Sequence, residues 1–168
     1  YRGLLLYHGL GSGKTCSSIA IAEGMKTNKK VLVMTPASLR MNYVEELKKC
    51  GDPVYKRDQF WEFINTSVNP ELVGTLKTTL SLPDDYIKKH KGAWLINDTL
   101  KSNYESLTPA QKESLDDQIN YMIMQKYDFI NYNGLRVKKF EEYTLQGKVN
   151  LFDDKVVIID EAHNLISR

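Results

Sequence analysis

The sequence predicts an α/β fold in which helices flank a parallel β-sheet. Three short apolar runs, at 3–7, 31–35 and 156–159, carry this prediction. Each run is nearly continuous rather than alternating, which is typical of strands covered on both faces of a parallel sheet. A buried helical segment is the alternative for each run, but the shortness and β-branched content of the runs favour strands. Helical patterns over 14–25 and 38–49 follow the first two runs, and this alternation indicates a βαβ unit.

The ends of the predicted helices are marked by polar or glycine-containing segments. The first helix is followed by a polar loop at 27–30. The second helix closes at Cys50 and Gly51. It carries one apolar stripe, made of Leu39, Tyr43, Val44 and Leu47. A run at 129–132 is a candidate fourth strand of the same sheet.

Residues 52–127 are predicted to be an irregular insertion between the second strand and the strand that ends in a carboxylate. This segment is polar and rich in proline, and it contains no internal repeat. Its clearest helix starts with Thr108 as the N-cap and Pro109 at the first helical position, and runs to about residue 126. Shorter helices are predicted at 59–64 and 84–89. No linker divides the chain, so we expect one domain.

Composition limits the class of protein. The 168 residues carry 23 Lys and Arg against 21 Asp and Glu, a net charge of +2 that does not by itself argue for nucleic acid. No apolar run reaches the length of a membrane span, and no signal-peptide pattern opens the chain. The two cysteines, Cys16 and Cys50, give no disulfide framework and suit a reducing compartment. Because the chain starts at Tyr1 rather than Met, we expect it to be a piece of a longer protein.

The most specific motif is HGLGSGKT at 8–15. It lies between a predicted strand and a predicted helix, which is the context of a phosphate-binding P-loop. Lys14 would supply charge to the phosphates, and the Thr15 hydroxyl would bind Mg²⁺. His8 stands where the pattern usually has Gly, and we expect it to be a packed or solvent-facing loop residue. For the motif as a whole, the alternative is a glycine-rich turn that binds no ligand. The expected nucleotide contacts are Gly9, Gly11, Ser12, Gly13, Lys14 and Thr15.

The second motif is VVIIDEAH at 156–163, an apolar strand that ends in two carboxylates. Ligands of open α/β sheets bind at the carboxyl ends of the strands. Asp160 is therefore expected to hold Mg²⁺ together with Thr15, and Glu161 to orient and deprotonate the attacking water. A solvated helix cap is the alternative for Asp160 and Glu161 taken alone. Combined with the phosphate loop, they predict a site that hydrolyses a nucleoside triphosphate, with Lys14, Asp160 and Glu161 as its catalytic residues.

The two motifs together resemble the motor core of superfamily-2 helicases and related nucleic-acid-dependent ATPases, whose DEAH box corresponds to 160–163. The sequence at 5–15, followed by TPASL at 35–39, looks most like the corresponding segments of helicases and early-transcription ATPases of large cytoplasmic DNA viruses. The resemblance implies a RecA-like lobe that binds ATP and Mg²⁺. It also implies hydrolysis coupled to movement on DNA or RNA, or to their remodelling, with viral transcription as one role. Residues 52–127 are not covered by it.

The resemblance also suggests contacts with nucleic acid. The loop at 35–38 is similar to a strand-end loop of the family that contacts the nucleic-acid backbone. Pro36, Ser38 and Arg40 are therefore candidate contacts, and Arg40 suits a phosphate chemically. A plain strand-to-helix turn is the alternative. The segment 131–134 resembles a second such region of the family.

His163 is similar to a histidine that links the family's ATP site to a second RecA-like lobe, which we expect to be missing from this chain. Arginine fingers come from that lobe, so the isolated chain is expected to be nearly inactive. The expected partners are DNA or RNA, the second lobe and transcription machinery. We expect no association with a membrane. The expected location is the host cytoplasm or a virion. Two alternatives stay open. One is a different P-loop NTPase, such as a nucleotide kinase or an AAA-type machine, and the other is a binding module that is inactive in isolation.

Overall fold

The computed structural model describes residues 3–7, 9, 11–25 and 29–166. The chain divides into two compact units, one formed by Tyr1–Gly51 with Lys126–Arg168 and the other by Asp52–Gln125. The strands are β1 (Lys30–Thr35), β2 (Trp61–Asn65), β3 (Gly92–Ile96), β4 (Tyr127–Asn131) and β5 (Lys155–Ile159). The helices are α1 (Lys14–Met25), α2 (Arg40–Cys50), α3 (Val73–Leu80), α4 (Asp84–His90), α5 (Pro109–Lys126), α6 (Val137–Tyr143) and α7 (His163–Ile166). Every candidate site residue belongs to the first unit.

A parallel sheet with the strand order β4-β1-β5 forms the centre of the first unit. Because β1 lies in the middle, residues 31–33 are at most 1% exposed. Leu32 and Met34 pack with Ile130 and Tyr132 in one buried cluster. The predicted α/β class, with a parallel sheet flanked by helices, is confirmed.

Three of the four predicted strands exist in this sheet. The runs at 31–35 and 156–159 lie within β1 and β5, and the run at 129–132 overlaps β4. Tyr132 does not belong to the strand, because it begins a short 3-10 turn that extends to Gly134. The β-branched runs therefore located the strands to within a residue or two.

The predicted strand at 3–7 is wrong. The segment has no regular secondary structure, and Leu4 and Leu5 are 72% and 79% exposed. Strands gain stability from packing against neighbouring strands, so apolar content alone does not create one. Within the described residues β5 is an edge strand of its sheet, and its Val157 and Ile159 are 37% and 42% exposed.

The first two helices were predicted with nearly correct bounds. α1 buries Ile19 and Ala22 completely. The predicted start of the second helix at 38 falls in a 3-10 turn, Ala37–Leu39, which leads into α2. The predicted stripe is buried at its Tyr43, Val44 and Leu47 positions. The predicted polar loop at 27–30 lies partly outside the described residues. In the described part of the chain, no helix combines the length and the apolar character that crossing a membrane requires.

A disulfide joins Cys16 and Cys50, so the expectation that these cysteines stay unpaired is wrong. Their Cα atoms are 5.7 Å apart although they are separated by 34 positions in the sequence. The pair connects the first turn of α1 to the last turn of α2. Sequence spacing did not indicate the bond, because the proximity arises only when α1 packs against α2.

The second unit is regular rather than irregular, contrary to the prediction. β2 and β3 pair in antiparallel fashion, and Phe63 and Trp94 meet edge to face with ring centroids 5.4 Å apart. The backbone N–H of Trp94 donates to Gln118 Oε1 at 2.7 Å, and Gln118 Nε2 donates to the Trp94 carbonyl at 2.8 Å. This side-chain amide fastens α5 to β3. Arg57 adds an ion pair with Asp116 at 2.7 Å.

The helix predicted at 59–64 is wrong, because those residues lead into and form most of β2. Aromatic side chains at this spacing fit a strand whose partner supplies another aromatic ring. The helices predicted at 84–89 and from Pro109 exist as α4 and α5. Thr108 and Gln111 cap α5 reciprocally: the Gln111 N–H donates to Thr108 Oγ1, and the Thr108 N–H donates to Gln111 Oε1. That this unit is an insertion within a helicase lobe stays a prediction.

Reduction of the disulfide is expected to destabilise the chain. A cross-link between residues 34 positions apart removes freedom from the unfolded chain, worth about 3–4 kcal/mol in the chain-entropy model. The midpoint of thermal unfolding, measured by scanning fluorimetry, should therefore fall when a reducing agent is added. Cys50→Ser is the control, and its low midpoint should not depend on the reductant. A wild-type midpoint that the reductant leaves unchanged would contradict this expectation.

Candidate functional site

The predicted phosphate loop is a glycine turn in which two side chains donate hydrogen bonds to one carbonyl oxygen. Gly11 and Gly13 have φ angles of 74° and 76°, in the left-handed region that favours glycine. Ser12 Oγ donates to the Gly9 carbonyl at 2.7 Å, and Lys14 Nζ donates to the same oxygen at 3.1 Å. Among the described residues, a Cβ atom built on either left-handed glycine would meet no atom within 4 Å, so these two positions of the turn are open. His8 and Leu10 lie outside the described residues.

The loop leads directly into the N-terminus of α1. The Ser17 N–H donates to the Gly13 carbonyl at 2.9 Å, and the first turn of α1 contains no acidic side chain. No acidic residue of this turn itself offsets the positive end of the helix dipole, and such an end favours an anion. Ser18 Oγ donates to the Thr15 carbonyl at 2.7 Å and is hydrogen bonded to Tyr43 Oη at 3.0 Å. These contacts connect the first turn of α1 to α2.

Asp160 lies directly after β5, at the carboxyl end of the sheet. Its backbone N–H donates to the Met34 carbonyl at 2.9 Å, which extends the pairing with β1 beyond the strand. Burial raises the pKa of the Asp160 carboxyl, and the charge of Glu161 raises it further. A hydrogen bond from the Glu161 N–H and the positive charge of Lys14 oppose this rise in pKa. Lys14 and Asp160, predicted from two separate motifs, are thus within electrostatic reach of each other.

Glu161 has an unusual backbone conformation for a residue with a side chain. Its φ angle is 51°, in the left-handed region. Its carbonyl accepts hydrogen bonds from Tyr132 Oη at 3.0 Å and from the Asn164 N–H at 2.9 Å. His163 Nδ1 lies 3.3 Å from Glu161 Oε2, an ion pair only when the imidazole is protonated. The turn therefore brings the side chains of Glu161 and His163 together.

Thr15 and Asp160 are the residues that would hold Mg²⁺. They offer a hydroxyl and a carboxylate oxygen, and Mg²⁺ prefers oxygen ligands. Burial and the neighbouring Glu161 disfavour the ionised form of Asp160. A cation bound to Asp160 would stabilise that form. The chemistry of these donors fits the ion predicted for the site.

The candidate nucleic-acid contacts differ in accessibility. Pro36 is buried, and its carbonyl accepts a hydrogen bond from the Leu39 N–H at 3.0 Å. The guanidinium of Arg40 lies over the Phe129 ring, 5.4 Å from the centroid. Ser38 is exposed. Of the three candidates, Ser38 alone presents a largely free surface in this structure.

The sequence indicated the segments 35–38 and 131–134 only as candidate nucleic-acid contacts, and it did not reveal that the first polar side chain of each segment has a buried oxygen at the end of β1 or β4. Thr35 and Asn131 stand opposite each other in the parallel register. Thr35 Oγ1 and Asn131 Oδ1 are buried and have no hydrogen-bond partner within the described part of the chain. The hydrogen bonds of the Tyr132 hydroxyl were not predicted either, since nothing in a sequence reveals where a tyrosine hydroxyl points. Their position at the ends of predicted strands was the available signal.

Comparisons with known proteins agree with this geometry. A family model named ResIII and described as the res subunit of type III restriction enzymes matches residues 1–168. A protein of Acanthamoeba polyphaga mimivirus, provisionally named as an ATP-dependent RNA helicase, is 30% identical over 169 residues, which covers 99% of this chain and 22% of that protein. A second mimivirus protein with the same kind of name is 25% identical over 180 residues, covering 98% of this chain and 14% of that protein. The chain thus spans under a quarter of either relative. No solved structure matches it.

Asp160→Asn is expected to leave the nucleotide-free protein at least as stable as the wild type near neutral pH. The fold raises the pKa of Asp160, so the stability contributed by its carboxyl is present when the group is protonated and is lost as pH rises through that pKa. Asn keeps an oxygen that can accept the Glu161 N–H. The measurement is the thermal midpoint of both proteins at about pH 4 and about pH 7.

Asp128→Asn is the matched control, on β4 at the other side of the central strand β1. It removes one partner of the ion pair between Asp128 and Lys155, at 2.9 Å, and should therefore bring no gain in stability at either pH. The expectation for Asp160 is rejected if Asp160→Asn unfolds at a lower temperature than the wild type near neutral pH.

Proposed function

The chain belongs to the ResIII family, and on this premise we propose that it is the ATP-binding lobe of a nucleic-acid-dependent ATPase. The resemblance to superfamily-2 helicases is confirmed by the family match and by the mimivirus relatives. The activity would be ATP hydrolysis with Mg²⁺, coupled to movement on a nucleic acid or to its remodelling. The site residues and their roles below are part of the proposal.

One observation carries the proposal: the glycine turn at 11–13 leads into α1, and α1 packs against β5, the strand that leads into Asp160. The positive charge of Lys14 lowers the pKa of Asp160 against the stronger effect of burial. A nucleoside triphosphate with its metal ion needs a cation and a carboxylate close together, the first for the phosphates and the second for the ion. The open glycine turn at 11–13 supports this assignment, because phosphate needs access to backbone N–H groups.

Each residue has a separate task in the proposed reaction. Lys14 leaves the Gly9 carbonyl and binds the phosphates, and the start of α1 adds backbone donors. Thr15 and Asp160 would hold Mg²⁺, which would supply charge neutralisation on the phosphates. Glu161 accepts a proton from the attacking water, and His163, 3.3 Å away, constrains the Glu161 carboxylate.

The proposed partners are a nucleic acid and a second lobe of the same protein. The mimivirus relatives are named as RNA helicases, so we propose RNA as the first substrate to test and DNA as the second. A second RecA-like lobe would complete the ATP site and supply arginine side chains. Viral transcription is the proposed biological setting, because the sequences at 5–15 and 35–39 resemble those of viral early-transcription ATPases.

Two substitutions in the complete protein should separate binding from hydrolysis. Lys14→Ala removes the charge that meets the phosphates, so the affinity for Mg²⁺–ATP should fall. Glu161→Gln keeps the shape of the side chain but removes the base, so binding should persist while turnover drops by about 10²–10⁴-fold. Affinity is measured with a fluorescent ATP analogue and turnover by phosphate release.

Lys29→Ala is the control for the loss of a lysine. Lys29 forms an exposed ion pair with Asp154 and lies outside the proposed site, so its removal should change neither affinity nor turnover. If Glu161→Gln turns over ATP at a near-normal rate, the assignment of Glu161 as the base fails.

Nucleic acid is expected to stimulate the ATPase of the complete protein. Turnover should be compared without nucleic acid, with single-stranded RNA and with single-stranded DNA of matched sequence. Stimulation by RNA or DNA supports a motor and argues against a nucleotide kinase or an AAA-type machine. Equal turnover in all three conditions would reject the motor while leaving ATP hydrolysis intact.

A further inference from the structure

Tyr132 is buried directly after the carboxyl end of β4. It is 5% exposed and packs in the cluster that contains Leu32, Met34 and Ile130. Its ring therefore lies against the central strand of the sheet. A side chain fixed in this way can position whatever its hydroxyl contacts.

The hydroxyl of Tyr132 contacts the backbone of both carboxylate residues. Tyr132 Oη lies 2.9 Å from the Asp160 carbonyl and 3.0 Å from the Glu161 carbonyl, and it donates one proton between them. Such three-centre hydrogen bonds occur in proteins where two carbonyls converge. The two consecutive carbonyls converge here because the chain turns sharply after β5.

That turn depends on the left-handed conformation of Glu161. A φ angle of 51° is unfavourable for a residue with a Cβ atom and persists only where the surroundings impose it. Among the described residues, the Glu161 carbonyl is held from two sides, by Tyr132 Oη and by the Asn164 N–H. The conformation matters for chemistry because it decides where the Glu161 carboxylate points relative to that of Asp160.

We propose that Tyr132 is a positioning residue for ATP hydrolysis. Its hydroxyl holds the turn at Asp160 and Glu161, so that the Glu161 carboxylate is aimed at the position of the attacking water. Tyr132 itself touches neither nucleotide nor metal and moves no proton. This inference rests on the proposed function, because it assigns a purpose to the geometry of the proposed base.

The test compares two tyrosines in the complete protein. Tyr132→Phe removes the hydroxyl that holds Glu161. Tyr127→Phe is the matched control: Tyr127 lies at the other end of β4, is 1% exposed, and donates its hydroxyl to Glu23 Oε1 at 2.6 Å. Each variant loses one hydroxyl from a buried tyrosine, one at the start of β4 and the other just after its end, so the general cost to stability should be similar.

The expected result is a loss of kcat that is specific to one variant. Tyr132→Phe should lower kcat by about tenfold to a hundredfold, because a catalytic group displaced by about 1 Å loses roughly that much. Its KM for ATP and its affinity for an ATP analogue should stay within about twofold of the wild type. Tyr127→Phe should keep kcat within about twofold. Equal losses of kcat in both variants, or an effect on KM alone, would overturn the proposal.

A double variant separates positioning from a general structural role. If Tyr132 acts through Glu161, adding Tyr132→Phe to Glu161→Gln should leave the residual turnover unchanged. A further loss in the double variant would overturn the proposal. Near-normal turnover of Glu161→Gln alone would instead refute the proposed base, so the two failures are distinguishable.

Rescue by a hydrogen-bond donor completes the design. p-Aminophenylalanine at position 132 keeps the ring and places N–H donors where the hydroxyl was. It should restore most of the kcat that Phe loses, with the nucleotide affinity reporting that each variant is folded. If the donor leaves kcat as low as Phe does, the hydrogen bond to the turn is not what positions Glu161.

Discussion

The candidate site depends on the parallel pairing of β1 with β4 on one side and β5 on the other. This pairing brings the ends of three strands to one edge, where Thr35, Asn131 and Asp160 lie. The hydrogen bond from the Asp160 N–H to the Met34 carbonyl continues the pairing beyond β5, so the position of the carboxylate is fixed by the register of the sheet. A slip of one residue would move every side chain of β5 to the opposite face.

Two local features of the site raise the free energy of the folded state, and contacts with the surrounding fold offset them. One is electrostatic: Asp160 is partly removed from water and faces a second carboxylate, which raises its pKa. The other is conformational, because Glu161 adopts a left-handed backbone. Lys14 relieves the first, and the hydroxyl of Tyr132 relieves the second. Unfavourable features that persist in this way are common at functional sites.

Sequence patterns predicted the parts of this molecule that depend on local interactions. The glycine-rich loop before α1 was predicted from its glycines, two of which adopt left-handed φ angles, and the helix start at Thr108 and Pro109 was predicted from its capping residue. The patterns failed where distant segments decide the outcome. The apolar run at 3–7 has no partner strand within the described residues, and the Cys16–Cys50 bond depends on how α1 packs on α2. The contacts of the Tyr132 hydroxyl belong to the same class.

In the sequence, the second unit lies between β1 and β4, which pair with each other in the sheet. This arrangement affects how the molecule folds. Val31 pairs with Tyr127, so the whole of Asp52–Gln125 is made between two neighbours in the sheet. Contacts so far apart in sequence are costly to form from a flexible chain. The second unit has contacts of its own, among them those of Gln118 and the Arg57–Asp116 ion pair, and early compaction of this unit would shorten the effective separation of β1 and β4. Sheet assembly, and with it the edge that carries Asp160, would then be the late event in folding.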